Sequence, residues 1–158
     1  MSVWLTVIGM HPDGRLAEAD RARAALDAAE EVFGAERHLE AAGVPEGRRR
    51  PWPSPFSDGL EALRARRGRP TAVLATGDPM HFGIGATLAT DFPAGEMTVM
   101  PAPSAFSLAA ARLGWPLDGV VCVSLHGRPE AALLRALKPG VCIISLTSGA
   151  QTAANVAH

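Results

Sequence analysis

Apolar runs alternate with amphipathic stretches along the whole of this chain. Residues 3–8 are β-branched and apolar, stop at Gly9, and are followed by HPDGR, which carries the Pro and Gly of a turn. This pattern predicts a strand feeding a loop. Across residues 16–29 the chain turns to Ala, Leu, Glu, Asp and Arg, with Leu16, Ala19, Ala22 and Leu26 on one face, which predicts a helix. Residues 31–33 read as a second strand and residues 37–42 as a short helix closed by Gly43. VPEGRRRPWPSPFSDG holds four prolines and reads as a connection without regular structure, after which Asp58 is the expected N-cap of a helix reaching Arg67. TAVLAT, residues 71–76, is a buried strand that stops at Gly77.

The rhythm then repeats. A helix is expected at residues 86–90, a strand at 97–100, a loop at PAPS and a helix at 104–113. After the GWPLDG turn come a strand at 120–125, the loop HGRP, a helix at 130–137, a strand at 141–146 and a helical SGAQTAANVAH. Strands alternating with helices predict an α/β fold with mainly parallel pairing and with loops gathered at the carboxyl ends of the strands. Those ends are where α/β sheets bind ligands. GWPLDG is the expected boundary between an amino-terminal lobe, 1–115, and a carboxyl-terminal lobe, 116–158.

Composition narrows the picture. A chain of 158 residues that is 47% hydrophobic can fill the core of one domain or of two small lobes. Its 15 Lys and Arg against 16 Asp and Glu leave a net charge of -1, so no nucleic acid or membrane partner is expected. The start lacks a basic leader, and no apolar stretch nears the roughly 20 residues of a spanning helix, so the expected compartment is the cytoplasm. Cys122 and Cys142, in VVCVSL and GVCIISL, read as reduced core residues.

Three strand-to-loop junctions carry the candidate chemistry: VIGMHPDGR, LATGDPMHFGIG and VMPAPSAFSLAAARLGWP. In the second, Gly77, Gly83 and Gly85 leave backbone N–H groups open to a ligand and Asp78 sets one carboxylate at a strand tip. Such a loop can hold an amino acid moiety, although a turn of this type also serves simply to cap a helix. Neither G-x-G-x-x-G nor G-x-x-x-x-G-K-[ST] occurs, which disfavours a Rossmann cofactor site or a phosphate loop. No metal site is expected.

Taken in order, VIGMHPDG, ERHL, LATGDPMHFGIG, PAPSAFSLAAARLGWP and SLHGRP resemble the precorrin C5-methyltransferase branch of the tetrapyrrole (corrin/porphyrin) methylases over essentially the whole chain. The GDP turn is shared widely among those methylases, whereas ERHL, LGWP and SLHGRP together mark the branch. The resemblance implies a two-lobed class III methyltransferase fold, with a mainly parallel sheet in the first lobe and a mixed sheet in the second. It also implies S-adenosylmethionine held between the lobes, without the Rossmann glycines, and S-adenosylhomocysteine as product. Carried across by motif, the cofactor contacts are Gly9 and Met10; Gly77, Asp78, Pro79 and His81; Pro103, Ser104 and Ala105; and Ile144 and Thr147 near the adenine. The implied reaction is methylation of carbon 5 of a precorrin in cobalamin biosynthesis, by a homodimer. In fused relatives a second domain methylates carbon 15 and decarboxylates. The chain stops at His158, before the closing strands of the second lobe, and is read as a piece of a longer protein.

A sulfonium methyl is already activated, so transfer requires mainly placement of the acceptor carbon and exclusion of water. His126 in SLHGR is the candidate catalytic base. Corrin precursors carry acetate and propionate arms, which Arg37, His38 and Arg128 are expected to grip. The run at residues 48–50 reads as a solvated face of a proline-rich loop. Two other readings keep the fold: a sibling methylase with another target position, and a non-catalytic module that binds S-adenosylmethionine.

Overall fold

The computed structural model describes residues 2–156. The chain forms two compact units, Met1–Ala102 and Pro103–His158, each with its own sheet.

The first unit runs β1 (Leu5–Met10), α1 (Ala19–Ala28), β2 (Glu31–Gly34), α2 (Glu36–Ala41), β3 (Arg49–Pro51), α3 (Phe56–Arg64), β4 (Thr71–Thr76), α4 (Ile84–Leu88) and β5 (Met97–Met100). All five strands pair in parallel, in the order β3-β2-β4-β1-β5. Successive side chains of a strand point to opposite faces, and both faces here are covered. Ile8, Leu74 and Val32 join Leu26 and Leu39 in one apolar cluster, while Val7, Val73 and Phe33 join Leu63 and Leu88 in another. This double burial explains why the strands read as continuous apolar runs.

Several boundaries differ from the sequence pattern. β1 extends through Gly9 and Met10, which pair with Ala75 and Thr76, because a glycine backbone bonds in a ladder as any other does. α1 starts only at Ala19: Leu16 forms a bridge to Met10 and Glu18 takes a left-handed φ of 45°. The proline-rich stretch contains a 3-10 turn (Glu46–Arg48), β3 and the start of α3. β3 lies at the sheet edge, where Pro51 removes no needed donor. Pro55, not Asp58, is the N-cap of α3; Asp58 falls in its first turn and accepts from the Ser57 hydroxyl.

The arginine run is half-buried and engaged by the fold rather than a freely solvated face. Arg48 donates to Leu26 O and Ala29 O, both at 3.0 Å, and so satisfies carbonyls at the end of α1. Arg49 donates to Val44 O at 2.8 Å, and Arg50 pairs with Glu31 at 2.7 Å. At the amino end of β5, buried Glu96 receives Arg67 at 2.7 and 2.6 Å and the Trp4 indole N–H at 3.0 Å. The Arg67 guanidinium, then the Trp4 donor, hold the Glu96 carboxyl down at about 2.

The second unit contains α5 (Ala105–Leu113), β6 (Val120–Ser124), β7 (Cys142–Leu146) and α6 (Ala150–Val156). β6 and β7 pair in parallel, so among the described residues the second sheet is a single parallel pair rather than the mixed sheet expected. The helix expected at residues 130–137 is a 3-10 turn (Glu130–Ala132) followed by further turns closed by Leu134 N to Ala131 O and Ala136 N to Leu133 O. Leu134 and Leu137 are 67% and 55% exposed. Without a buried face, helix propensity alone does not sustain an α-helix of this length. Both cysteines are free thiols, but neither is a core residue: Cys142 is exposed and Cys122 half-buried, with burial pushing its thiol up. A two-stranded sheet has too little cover to bury both. Of the helix expected at the carboxyl end, Ala157 and His158 lie outside the described residues. Among the described residues, no helix is long and apolar enough to cross a membrane.

Candidate functional site

In the first unit the loops leaving β4, β1 and β5 are laced together by backbone alone. Gly77 N donates to Met10 O at 2.8 Å, and Ala102 N donates to Gly77 O at 3.2 Å. Gly9 sits at the centre of this crossing. A Cβ there would lie 2.2 Å from Gly77 O and 2.5 Å from Ala102 N, so no side chain fits. The result is a bare-backbone cradle at the carboxyl end of the sheet, the position at which parallel sheets present ligands.

Gly77 takes φ 62°, which turns the chain sharply out of β4. Asp78 follows, half-buried, and its Oδ1 accepts from Met80 N at 2.8 Å. The other Asp78 oxygen has no protein partner among the described residues. Gly83 and Gly85 have a steric role: a Cβ on either would press on Pro79 O, at 2.6 and 2.9 Å. Those glycines let the loop fold over Pro79. At its tip Phe82 adopts a left-handed φ of 56° and stacks on His81, with ring centres 5.2 Å apart.

Beside this turn is a hollow of about 530 Å³ lined in part by His11, Asp13, Arg37, His38 and Thr76. Thr76 ends β4, directly before Gly77. Its Oγ1 lies 3.2 Å from His38 Nε2 and accepts from an Arg37 terminal nitrogen at 3.5 Å, while Arg37 Nε donates to His38 Nε2 at 3.4 Å. Burial, and then the Arg37 charge, hold the His38 imidazole below its ordinary pKa. Asp13, on the rim, is engaged by Arg15 at 2.7 Å. Hydrogen bonds from the Arg15 backbone and side chain push its carboxyl down.

The sequence profile of the Tetrapyrrole (Corrin/Porphyrin) Methylases matches residues 5–157. The chain belongs to this family. Over 149 residues, 94% of this chain, it is 45% identical to a precorrin-6Y C(5,15)-methyltransferase [decarboxylating] of Sinorhizobium sp, of which it spans 36%. It is 34% identical over 124 residues to the cobalt-precorrin-7 C(5)-methyltransferase of Salmonella typhimurium, covering 78% of this chain and 62% of that protein. The chain therefore spans less than two thirds of the length of these curated relatives. The crystal structure of the cobalamin biosynthesis precorrin-6Y methylase from Archaeoglobus fulgidus superposes with a TM-score of 0.65 at 30% identity, over 92% of this chain and 72% of that one.

Within this tetrapyrrole methylase fold, Gly9, Met10, Gly77, Asp78, Pro79 and His81 gather at the carboxyl ends of the first sheet. Met10 offers only backbone there, because its side chain lies in the core. Arg37 and His38 occupy the adjoining hollow. In the second unit Ser104 is the N-cap of α5, accepting from Ser107 N at 3.1 Å, with exposed Pro103 and Ala105 beside it. His126 and Arg128 lie exposed on the turn after β6. That turn is tied to the end of β7 by Leu125 N to Leu146 O at 2.8 Å and by Gly127 N to Ser148 Oγ at 3.4 Å. Thr147 follows β7 directly, and Ile144 is half-buried within it. Thr76, which the sequence pattern did not single out, lines the hollow with Arg37 and His38. The signal for it was a hydroxyl closing an otherwise apolar strand.

Proposed function

We propose that this chain is the S-adenosylmethionine-dependent part of a precorrin C5-methyltransferase acting in cobalamin biosynthesis. The observation that carries the reading is the cradle around Gly9, Gly77 and Ala102 with the Asp78 carboxylate at its edge, in a chain 45% identical to a precorrin-6Y C(5,15)-methyltransferase. The residues present fit a ligand with an amino acid end. Gly9 lets the three strand ends close together into one turn, and the Asp78 oxygen without a partner among the described residues suits an ammonium or hydroxyl. When bound, the cofactor supplies an electrophilic methyl group. Gly9, Gly77, Asp78, Pro79 and His81 are assigned to hold it, with Pro103, Ser104, Ala105, Ile144 and Thr147 as contributors from the second unit.

His126 is assigned as the group that takes a proton from the acceptor; among the described residues no polar partner fixes its ring. Arg128 and Arg37 are assigned to the carboxylate arms of the precorrin. Exposed Leu113, Leu134 and Leu137 favour self-association of the second unit, in keeping with a homodimer. The association with a C15-methylating domain is proposed from the longer relative alone. The deciding experiment incubates the full-length protein with labelled S-adenosylmethionine and candidate precorrins and locates the methyl by NMR. A methyl on carbon 5 is expected. Transfer to another carbon would make the protein a sibling methylase, and cofactor binding without transfer to any precorrin would make it a non-catalytic module.

A further inference from the structure

Most arginines of the first unit are consumed by the fold. Arg50, Arg64, Arg66 and Arg67 each meet a carboxylate, and Arg23 and Arg48 donate to backbone carbonyls. Arg37 differs. It is exposed at the hollow beside the GDP turn and makes no ion pair among the described residues; its partners there are His38 and Thr76, both of which can be neutral.

The three groups form a closed triangle with sides of 3.2, 3.4 and 3.5 Å. A guanidinium only donates, so Thr76 Oγ1 accepts from one Arg37 nitrogen and the single lone pair of His38 Nε2 accepts from Arg37 Nε, with the Thr76 hydroxyl 3.2 Å from that same nitrogen. His38 Nε2 is then an acceptor, and the imidazole is neutral with its proton on Nδ1. That Nδ1 is buried and has no hydrogen-bond partner. A buried polar atom without a partner carries a cost that calls for an explanation. Burial and the Arg37 charge act on His38 in the same direction as the triangle. Asp13, a carboxylate lining the same hollow, is occupied by Arg15.

We propose that Arg37 is a carboxylate-binding residue whose charge is held in place but not cancelled by His38, a positioning residue, so that the hollow takes one carboxylate arm of an organic polyanion. The precorrin reading enters only in saying which polyanion this is. The sequence reading has His38 gripping substrate itself, whereas the geometry turns its Nε2 toward Arg37 and Thr76. Four polar groups share the hollow with His38: Arg37 from α2, Thr76 from the end of β4, and His11 and Asp13 from the loop after β1. Protonating His38 removes the acceptor and sets a second cation against Arg37, which opens the triangle.

The test titrates the full chain by calorimetry with benzene-1,3,5-tricarboxylate as probe and, separately, with S-adenosylhomocysteine. Arg37→Ala should weaken the probe about tenfold or more, the scale of a lost charge-assisted contact, and leave S-adenosylhomocysteine unchanged. His38→Leu should weaken the probe and His38→Gln, whose amide oxygen restores an acceptor, should largely rescue it. Probe affinity of the unmodified protein should fall as acid protonates His38, and His38→Gln should flatten that fall. Imidazole 15N NMR should show His38 carrying its proton on Nδ1. Unchanged probe binding in Arg37→Ala, an Nε2-protonated His38, or the same pH profile in His38→Gln would each overturn the proposal. Probe binding through Arg37 with no methylation of any precorrin would sink the precorrin reading and leave this one standing. Methylation with an unchanged KM in Arg37→Lys would do the reverse.

Discussion

Gly9→Ala is the sharpest test of the backbone cradle. The added Cβ would stand 2.2 Å from Gly77 O, more than an ångström inside an ordinary contact, with Ala102 N at 2.5 Å and Met100 O at 3.1 Å. All three obstacles are backbone atoms, so relief requires moving the ends of two strands rather than turning a side chain. Overpacking of a rigid site costs about 1 to 3 kcal/mol, and the backbone character of the clash places this variant near about 3 kcal/mol. For a chain of this size that corresponds to a fall in Tm of roughly 6 to 12 °C. Gly47→Ala is the control, because nothing lies within 4 Å of its built Cβ and its φ is ordinary. The control should melt within about 1 kcal/mol of the parent. The same Gly9→Ala protein should lose S-adenosylhomocysteine binding by calorimetry at a temperature where it remains folded. A variant melting within about 2 °C of the parent and binding the ligand equally would refute the convergence of the three loops on Gly9.

Asp78→Asn keeps an acceptor for Met80 N but loses the charge, so it should retain the parent Tm while weakening S-adenosylhomocysteine by about 1 to 3 kcal/mol; equal affinity removes Asp78 from the cofactor site. Glu96 is held at about 2 against an ordinary 4.5, so its contribution to stability is present above 4.5 and is lost as the pH falls toward 2. Glu96→Gln should therefore lower Tm at neutral pH and narrow its gap to the parent in acid, and a constant gap across pH 2 to 7 would contradict the Arg67 and Trp4 pairing. Arg48→Met leaves the carbonyls of Leu26 and Ala29 without their donor and should cost about 1 to 2 kcal/mol in denaturant unfolding; no change would mean that water replaces the guanidinium.

What could be read from the chain alone was the part set by local chemistry. Runs such as TAVLAT and MTVM announce parallel strands because a strand covered on both faces has no polar alternation to show. The family was legible because GDPMHFGIG, LGWP and SLHGRP keep their order and spacing. Tertiary structure decided what local pattern cannot carry. Composition did not reveal that Arg48 closes α1, since its partners lie 19 to 22 positions earlier in the chain. The expected helix at residues 130–137 had good propensity but no surface to bury against, and so stayed as turns. Gly9 looked like the end of a strand and is instead the crossing point of three, a fact fixed by atoms of Gly77 and Ala102. Thr76, Arg37 and His38 became one unit only when β2 and β4 were paired and α2 was carried over the end of the sheet. Sequence determined the elements and the kinship, because those depend on neighbours along the chain. The cradle and the charge triangle depend on neighbours across the sheet, and only the folded register brings those together.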